Sequence, residues 1–196
     1  MIDMARFFAA ILSIAALAIG VGCSGGSATL SGSVGQVQIV LGGDATVSAA
    51  RHGDGDDDGG DDACSRLKGA EVTFTAIVAR NLEGSLVPLS LEYPVTVDLF
   101  ALRDDGPVAL PLGTLPPGTY DQLVVVMSTL TLTTRNGTQI AISPPPGGWT
   151  KIIRVEPFEV IEGETTTIRI RFLRQLSFKL FGDRFGFDPH FEQDDD

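Results

Sequence analysis

The segment from Leu123 to Ile142, LVVVMSTLTLTTRNGTQIAI, decides the fold class. Its first half, Leu123–Leu132, is rich in Val, Leu and Thr, which favour pleated and half-buried strands. Asn136-Gly137 then supplies the residue types that a type I′ turn requires. The segment therefore predicts a β-hairpin whose second strand is Gln139–Ile142.

Short strands and turns of the same kind extend in both directions from this hairpin. Gly, Pro, Asn and Asp separate the apolar runs, and no segment past Ser24 carries a sustained apolar stripe with the helical period of about 3.6 residues. The sequence therefore predicts an all-β protein, an antiparallel β-sandwich. The other predicted strands contain Val37, Ile39 and Leu41; Val72, Phe74, Ala76 and Val78; Leu86–Leu91; Thr96–Leu102; Ile152–Val155; Phe158–Val160; Thr165–Phe172; Leu176, Phe178 and Leu180; and Phe185–Phe187.

Alternation assigns a buried face in two of these strands. In the first, Val72, Phe74, Ala76 and Val78 occupy every second position and predict one shared face. In the second, Ile168 and Ile170 alternate with polar residues and predict the inward face of Thr165–Phe172.

A set of motifs lies between about Val34 and Phe191: Val97-Asp98-Leu99, Leu115–Leu123, Ile153-Arg154-Val155, Pro157–Val160 and Gly163. These motifs resemble a family of bacterial secreted and lipoprotein domains that is defined only as a domain of unknown function. Leu-Pro-x-Gly-x-Tyr elements also occur in transthyretin-like and carboxypeptidase-regulatory-like sandwiches. The resemblance implies an immunoglobulin- or transthyretin-like β-sandwich on the cell envelope, in which the Gly-x-Tyr turn starts a strand and the ring caps the core. It implies no catalytic residues, because the family has none assigned.

The N-terminal segment Met1–Gly22 has the order of a secretory signal peptide. Arg6 precedes the apolar run Phe7–Val21, whose 15 residues are fewer than the roughly 20 that span a bilayer. Small residues before Cys23, with Ser and Gly after it, resemble the lipobox of bacterial lipoproteins, although Gly20 stands where that family usually has Leu. We expect lipidation of Cys23 by acyl chains such as palmitate. The alternatives are cleavage without a lipid and an uncleaved membrane-spanning or core helix, and Met4 is an alternative start.

If Cys23 carries a lipid, the rest of the chain divides into a tether, one domain and a short tail. Residues 23–34 are Gly/Ser-rich and predict a flexible tether, residues 35–191 a single β-sandwich domain, and residues 192–196 an acidic tail. Ser24, rather than Asp, follows the cysteine, which resembles the outer-membrane sorting signal of enteric bacteria. We therefore expect an outer-membrane lipoprotein that faces the periplasm or the cell surface.

The two cysteines leave one alternative open. If Cys23 carries a lipid, Cys64 is an odd thiol, and we expect it to be a partly buried bystander. If Cys23 carries no lipid, a Cys23–Cys64 disulfide becomes an option.

Acidic charge limits the partners. The formal net charge is −11, and much of the acid lies in Asp54–Asp62 and Asp194–Asp196. Such a chain would be repelled by a nucleic-acid backbone and by anionic lipid, so neither is an expected partner.

An Asp/Gly-rich loop at residues 51–62 is the main candidate metal site in the sequence. The Asp-x-Asp-x-Asp-Gly order that starts at Asp54 matches the opening of calcium loops, because hard cations need several oxygen ligands around a sharp bend. Position twelve is Ser65 instead of the EF-hand Glu. The alternative is a solvated acidic loop with no metal. The candidate calcium ligands are Asp54, Asp56, Asp58, Asp61 and Asp62.

Catalytic motifs are missing from the sequence, and we expect no enzymatic activity. His52 and His190 lie outside any Gly-x-Ser-x-Gly or His-Glu-x-x-His pattern. A two-histidine metal site with Asp54 or Asp188 is conceivable, but loop histidines are usually exposed. Four glutamates could be paired as glycosidase carboxylates, but positions in turns and on outward strand faces explain them more simply. They are Glu156, Glu159, Glu162 and Glu164.

Aromatic residues offer a candidate ligand surface. Trp149 follows the irregular run Pro144–Gly148 and could present a stacking face to a sugar or a partner, or it could seal one end of the core. The same choice applies to four phenylalanines, which we expect to pack in the core. They are Phe181, Phe185, Phe187 and Phe191.

Together these features predict a lipid-anchored envelope protein whose β-sandwich is a non-catalytic binding or structural module. The expected partner is another envelope protein or a polysaccharide. The alternative is a calcium-dependent adhesion module that uses Asp54–Asp62, and an envelope hydrolase comes third.

Overall fold

The computed structural model describes residues 33–43, 63–104 and 106–194, with the side chains of residues 103 and 104 excepted. The strands are β1 (Gly35–Gly43), β2 (Leu67–Asn81), β3 (Leu86–Pro88), β4 (Val95–Asp98), β5 (Val108–Ala109), β6 (Gly113–Leu115), β7 (Gly118–Thr134), β8 (Gln139–Ile142), β9 (Trp149–Val160), β10 (Thr165–Phe172), β11 (Phe178–Phe181), β12 (Arg184–Phe187) and β13 (Phe191–Gln193). Within the described residues, helical structure is limited to three single turns: a 3₁₀ turn (Ala63–Arg66), α1 (Ala101–Asp104) and α2 (Arg174–Ser177). The all-β prediction is confirmed.

The strands form two main sheets and one small hairpin. The five-stranded sheet has the order β13-β10-β1-β5, with β6 also paired to β1. The six-stranded sheet has the order β3-β2-β7-β8, with β4 also on β2 and β9 on β7. Strands β11 and β12 pair with each other. Buried residues of both main sheets belong to one hydrophobic core, which includes Val37, Ile39, Leu41, Ile168, Ile170 and Phe172 from the first sheet and Phe74, Ile77, Leu123, Met127, Leu130, Leu132 and Ile153 from the second.

One strand pair departs from the predicted antiparallel arrangement. Strand β1 lies parallel to β10, in register from Gln36 beside Thr165 to Gly43 beside Phe172. A tight turn can join antiparallel neighbours only, whereas these two strands are separated by the whole six-stranded sheet. Their pairing is therefore set by packing of the two sheets, which local sequence patterns do not report.

Burial confirms the predicted inward face of β10. For β2 it confirms only the first half of the predicted inward face. Phe74 is buried, but beyond it Ile77 and Ala79 are buried, whereas Ala76 and Val78 are only half-buried. The register to β7 shifts on both sides of Phe74. One extra residue in a strand moves every later side chain to the opposite face, so the prediction for Ala76 and Val78 was wrong.

The β7–β8 hairpin is confirmed, with a different turn. The Gly137 N–H donates to the Thr134 carbonyl at 2.9 Å, and the Thr134 N–H donates to the Thr138 carbonyl at 2.9 Å. Gly137 has φ +90°. This pattern belongs to a three-residue loop that ends in a glycine bulge, so the predicted two-residue type I′ turn was wrong.

Two predicted strands are interrupted by side chains that bond to the main chain. Asp98 Oδ1 accepts hydrogen bonds from the N–H groups of Ala70 (3.0 Å) and Phe100 (2.9 Å), which ends β4 and lets α1 begin. Ser177 Oγ donates to the Leu173 carbonyl at 2.7 Å and closes α2. The predictions of strand at residues 99–102 and at residue 176 were therefore wrong.

The predicted Leu-Pro-x-Gly-x-Tyr element forms a corner at the start of β7, which a hydrogen bond and a ring contact stabilise. Tyr120 is buried, and its hydroxyl donates to the Pro116 carbonyl at 2.9 Å. Its ring stacks on Phe158 of β9 with centroids 5.6 Å apart. Burial raises the pKa of Tyr120 above its usual value. The ring thus caps the core where the strand begins, as the resemblance implied.

Candidate interaction surface

Three residue types that form hydrolase triads meet beside α2, but their geometry is structural. Ser177 is fully buried, and its hydroxyl accepts the main-chain N–H of His190 at 2.8 Å while it donates to Leu173. The His190 Nδ1 lies 2.7 Å from the main-chain oxygen of Asp188. The Asp188 carboxylate is 2.5 Å from Lys151 Nζ, whose hydrogen bond lowers the pKa of Asp188. A substrate could not reach this hydroxyl, so the cluster supports no nucleophilic chemistry.

The four glutamates considered as glycosidase carboxylates are solvent-exposed. Glu156 and Glu159 lie on β9, while Glu162 and Glu164 lie in the turn between β9 and β10. Their exposure fits the simpler explanation by turns and outward faces.

Several predicted site residues lie outside the residues that the structure describes. These are the lipidation residue Cys23, His52 and the candidate calcium ligands Asp54, Asp56, Asp58, Asp61 and Asp62. Lipidation and calcium binding therefore stay predictions. Within the described ranges, no group of three or more His, Cys, Asp or Glu side chains could hold a metal ion. No helix within those ranges is both long enough and apolar enough to cross a membrane.

Cys64 is buried in the 3₁₀ turn, as expected of a bystander. Its Sγ lies 3.6 Å from the Arg174 carbonyl oxygen and donates a weak hydrogen bond to it. The Arg174 guanidinium stacks over Phe100, with its Cζ 4.8 Å from the ring centroid. Burial of this kind favours an inert structural thiol over a reactive one.

Trp149 closes the core rather than presenting an open face. Its side chain is 8% exposed, and its ring makes an edge contact with Phe187 at 5.2 Å between centroids. Phe185, Phe187 and Phe191 also pack against the core. Phe181 is an exception to the core prediction, because it is exposed at the end of β11 beside Gly186, where a Cβ atom would approach its ring to 2.8 Å.

The outer face of the six-stranded sheet carries an apolar row across four adjacent strands. Pro88 of β3 lies opposite Val78, Val78 lies opposite Val124, and Val124 lies opposite Ile152 of β9. Val78 and Val124 are half-buried, while Ile152 is 63% exposed. We call Pro88, Val78, Val124 and Ile152 the apolar row. Contiguous apolar surface on an outer face is a mark of an interaction site.

Polar residues border the apolar row directly on one side and lie one row further away on the other. On the first side, Gln122 lies between Arg80 and Arg154 in the next row; Gln122 is buried, Arg80 is half-buried and Arg154 is exposed. Arg80 makes a two-point ion pair with Asp121 (Nε–Oδ1 3.0 Å, Nη2–Oδ2 2.6 Å), which holds the pKa of that carboxyl below its usual range.

On the other side of the apolar row, a row of Ala76, Val126 and Thr150 comes first. Beyond it, the hydroxyl of Thr73 forms hydrogen bonds with the hydroxyls of Thr96 (3.0 Å) and Thr129 (2.8 Å). The surface thus has an apolar centre and a polar rim, as many protein interfaces have.

A cleft of about 380 Å³ lies where the two sheets meet, between β9 and the β10–β13 pair. The Gln193 amide oxygen accepts the Glu156 N–H at 2.5 Å, and Thr166 Oγ1 donates to the Glu159 carbonyl at 2.8 Å. These side chains satisfy main-chain groups on the outer edge of β9, which protects an edge strand from pairing with another chain. The cleft is lined by Val155, Glu156, Phe158, Thr167, Ile168, Arg169, Gln193 and Asp194.

Sequence reasoning missed the apolar row, although a signal for it was present. Val124, Val125 and Val126 are consecutive, and a strand with one solvated face would place polar residues at alternate positions. The structure buries Val125 in the core and leaves its two neighbours on the outer face. An uninterrupted apolar run in a two-sheet protein therefore indicates a second apolar face.

Comparisons with known proteins add little to this picture. No family model matches the chain, and no curated protein matches it. A crystal structure of a leucine-rich repeat protein from Bacteroides thetaiotaomicron matches 70% of this chain with 17% identity and a TM-score of 0.29. The match spans only 13% of that protein. At this TM-score the likeness carries no inference about fold or function.

Proposed function

We propose that this protein is a lipid-anchored bacterial envelope protein whose β domain is a non-catalytic binding module. The apolar row on the outer face of the six-stranded sheet carries the proposal. Four apolar residues in direct register across four strands form a surface that the described fold leaves solvent-facing. Aliphatic surface of this kind gains free energy when a partner removes it from water.

The anchor rests on sequence features. A short apolar run followed by small residues and Cys23 favours a lipoprotein signal, and Ser24 favours the outer membrane in an enteric-type cell. More than one acyl chain would hold the protein stably, since each buried methylene contributes about 0.8 kcal/mol.

The finer fold class belongs to the same proposal. We assign the two sheets to an immunoglobulin- or transthyretin-like β-sandwich. The hydrogen bond from the Tyr120 hydroxyl to the Pro116 carbonyl supports this assignment, because a tyrosine bonded back to the chain a few residues upstream is a feature of immunoglobulin-type sandwiches.

An envelope protein is a better partner for this surface than a polysaccharide. Sugar sites use exposed aromatic rings for stacking, and Trp149 is buried. The apolar row is aliphatic and bordered by Arg80, Gln122 and Arg154, which fits a protein interface with a polar rim. The calcium-dependent adhesion module is the alternative, supported by the spacing of Asp54, Asp56 and Asp58. An envelope hydrolase stays third.

Two measurements test the proposal. The first is the intact mass of the protein recovered from bacterial membranes, with and without reductant. A mass that begins at Cys23 and includes acyl chains supports the anchor. An unacylated mass that gains two hydrogens on reduction would instead indicate a secreted domain with a Cys23–Cys64 disulfide.

The second measurement is photo-crosslinking in intact cells with a reactive side chain at Ile152. Leu176 is the matched control, because it is 54% exposed and lies in α2, away from the apolar row. We expect one discrete protein adduct from Ile152 and none from Leu176. Equal labelling at both positions, or no adduct at Ile152, would refute a binding role for this face.

A further inference from the structure

The chain enters the described domain at one well-defined end. The Gly163 N–H donates to the Val34 carbonyl at 3.1 Å, and the Gln36 N–H donates to the Glu164 carbonyl at 2.7 Å. On the other sheet, the Leu82 N–H donates to the Thr119 carbonyl at 3.2 Å, beside the start of β7. We call the segments that meet here the tether end: residues 33–34, 82–85, 116–117 and 161–164.

Apolar side chains are exposed at the tether end. Leu82 is 62% exposed, Val34 46% and Ile161 43%, and Pro116 and Pro117 are also exposed. Val34 lies beside the turn that contains Ile161, since a Cβ atom on Gly35, the residue after Val34, would clash with the Ile161 carbonyl oxygen. Turn positions normally carry polar or turn-forming residues, so strand propensity does not account for Leu82 and Ile161.

The charged residues of these segments are all acidic. They are Glu83, Glu162 and Glu164, and each is exposed. An acidic rim disfavours contact with anionic lipid headgroups and favours the ammonium groups of ethanolamine headgroups.

Chain length keeps the tether end close to the proposed anchor. Cys23 and Ser33 are ten residues apart. Ten residues span at most about 35 Å, whatever their conformation. Strand β1 runs away from this end over nine residues, about 26 Å. Gly43, the last residue of β1, therefore lies at the opposite end of the described domain.

From these observations we infer that the tether end is a lipid-contacting surface. Leu82, Ile161 and Val34 enter the interface of an ethanolamine-rich leaflet, and the flanking carboxylates face the headgroup ammonium groups. The short tether raises the effective concentration of the leaflet at this surface, so weak contacts suffice. The inference rests on the proposed lipid anchor.

Fluorescence quenching in membranes tests this inference. The full-length lipidated protein, with Leu82→Trp or with the control Leu176→Trp, is reconstituted into vesicles of phosphatidylethanolamine and acyl-chain-brominated phosphatidylcholine. Bromine quenches only tryptophans that reach the upper acyl region, and an interfacial apolar side chain lies roughly 5–10 Å deep. The buried Trp149, the single native tryptophan, supplies an equal background in both variants. Leu176 is the control because it is also exposed but follows β10 at the opposite end of the domain.

We expect the Leu82→Trp protein to lose fluorescence relative to unbrominated vesicles, and the Leu176→Trp protein to keep it. Replacing phosphatidylethanolamine by phosphatidylglycerol should weaken the quenching of Leu82→Trp. Equal quenching of the two variants in protein that floats with the vesicles would overturn the inference while the anchor stands. Protection of Leu82→Trp from a soluble quencher without quenching by bromolipid would assign this end to a protein partner or a second copy, and would also overturn it. Protein that does not float with vesicles would refute the anchor and the inference together.

Discussion

Removing the hydroxyl of Tyr120 should destabilise the domain measurably while leaving its fold intact. The Tyr120→Phe variant keeps the stacked ring on Phe158 but loses the hydrogen bond to the Pro116 carbonyl. Tyr120 is buried, and the variant removes the hydrogen bond that its hydroxyl donates to the Pro116 carbonyl. Such a loss typically costs about 1–1.5 kcal/mol, and for a domain of this size that corresponds to a melting temperature lower by about 2–6 °C.

Tyr93→Phe is the matched control for this prediction. The Tyr93 hydroxyl is also buried but has no hydrogen-bond partner within the described part of the chain. Burial raises the pKa of Tyr93 to about 12, opposed by a weaker interaction with the Ile77 main chain that falls short of hydrogen-bond geometry. Removing an unsatisfied buried hydroxyl should leave stability unchanged or raise it by up to about 1 kcal/mol.

Equilibrium urea unfolding, followed by the fluorescence of Trp149, measures both variants. The midpoint should fall for Tyr120→Phe with an unchanged m-value, which would show that the unfolding transition exposes the same surface. Tyr120→Leu, which also removes the ring, should lose about 0.5–1.5 kcal/mol more through the lost stacking with Phe158. The reasoning fails if Tyr120→Phe is as stable as Tyr93→Phe.

Three further predictions concern pH, a glycine and calcium. The pKa of Asp121 is lower in the folded than in the unfolded state, because Arg80 hydrogen-bonds its carboxylate, so the stability that this ion pair contributes is present above about pH 4 and is lost as the pH falls through the folded pKa. Asp121→Asn should therefore flatten the fall of the urea midpoint below about pH 4. Gly148 has φ +84° and a Cβ atom there would lie 2.5 Å from a main-chain oxygen of β7, so Gly148→Ala should cost about 2–4 kcal/mol in urea unfolding. Gly84 has φ +86° but open space around it, so Gly84→Ala should lower the free energy of unfolding by only about 1 kcal/mol. Similar losses at both sites would contradict the steric argument. If the acidic loop binds calcium at its expected 10⁻⁴–10⁻³ M, then about 10 mM calcium should stabilise the protein by about 1–3 kcal/mol, and Asp56→Ala with Asp58→Ala should abolish the shift; an unshifted melting curve excludes the site.

Much of the secondary structure was predictable, because strand alternation and turn residues are local signals. The inward face of β10 and the β7–β8 hairpin follow from a few neighbouring residues. The errors arose where a side chain or an extra residue overrides the period. Asp98 ends β4 through two main-chain hydrogen bonds, and the register shifts around Phe74 exchange the faces of β2.

The candidate surface was less predictable than the strands. Each member of the apolar row is an ordinary strand residue, and the row exists only because registers across β3, β2, β7 and β9 align them. A shift of one residue in any pair would disperse the row, since side chains alternate between faces. The exposed residues of the tether end likewise come from four segments that are far apart in the chain.

Residue types and their spacing were enough to predict that this protein is built from strands, that its acidic residues are concentrated in short runs, and which segment carries a candidate lipid site. These properties depend on residue type and on spacing within about ten positions, so they can be predicted without knowledge of the fold. The tertiary structure decided the parallel pairing of β1 with β10, the burial of Trp149, the apolar row and the meeting of Val34, Leu82 and Ile161 at one end. Each of these depends on contacts between residues distant in the chain, whose geometry is set by packing two sheets around one core.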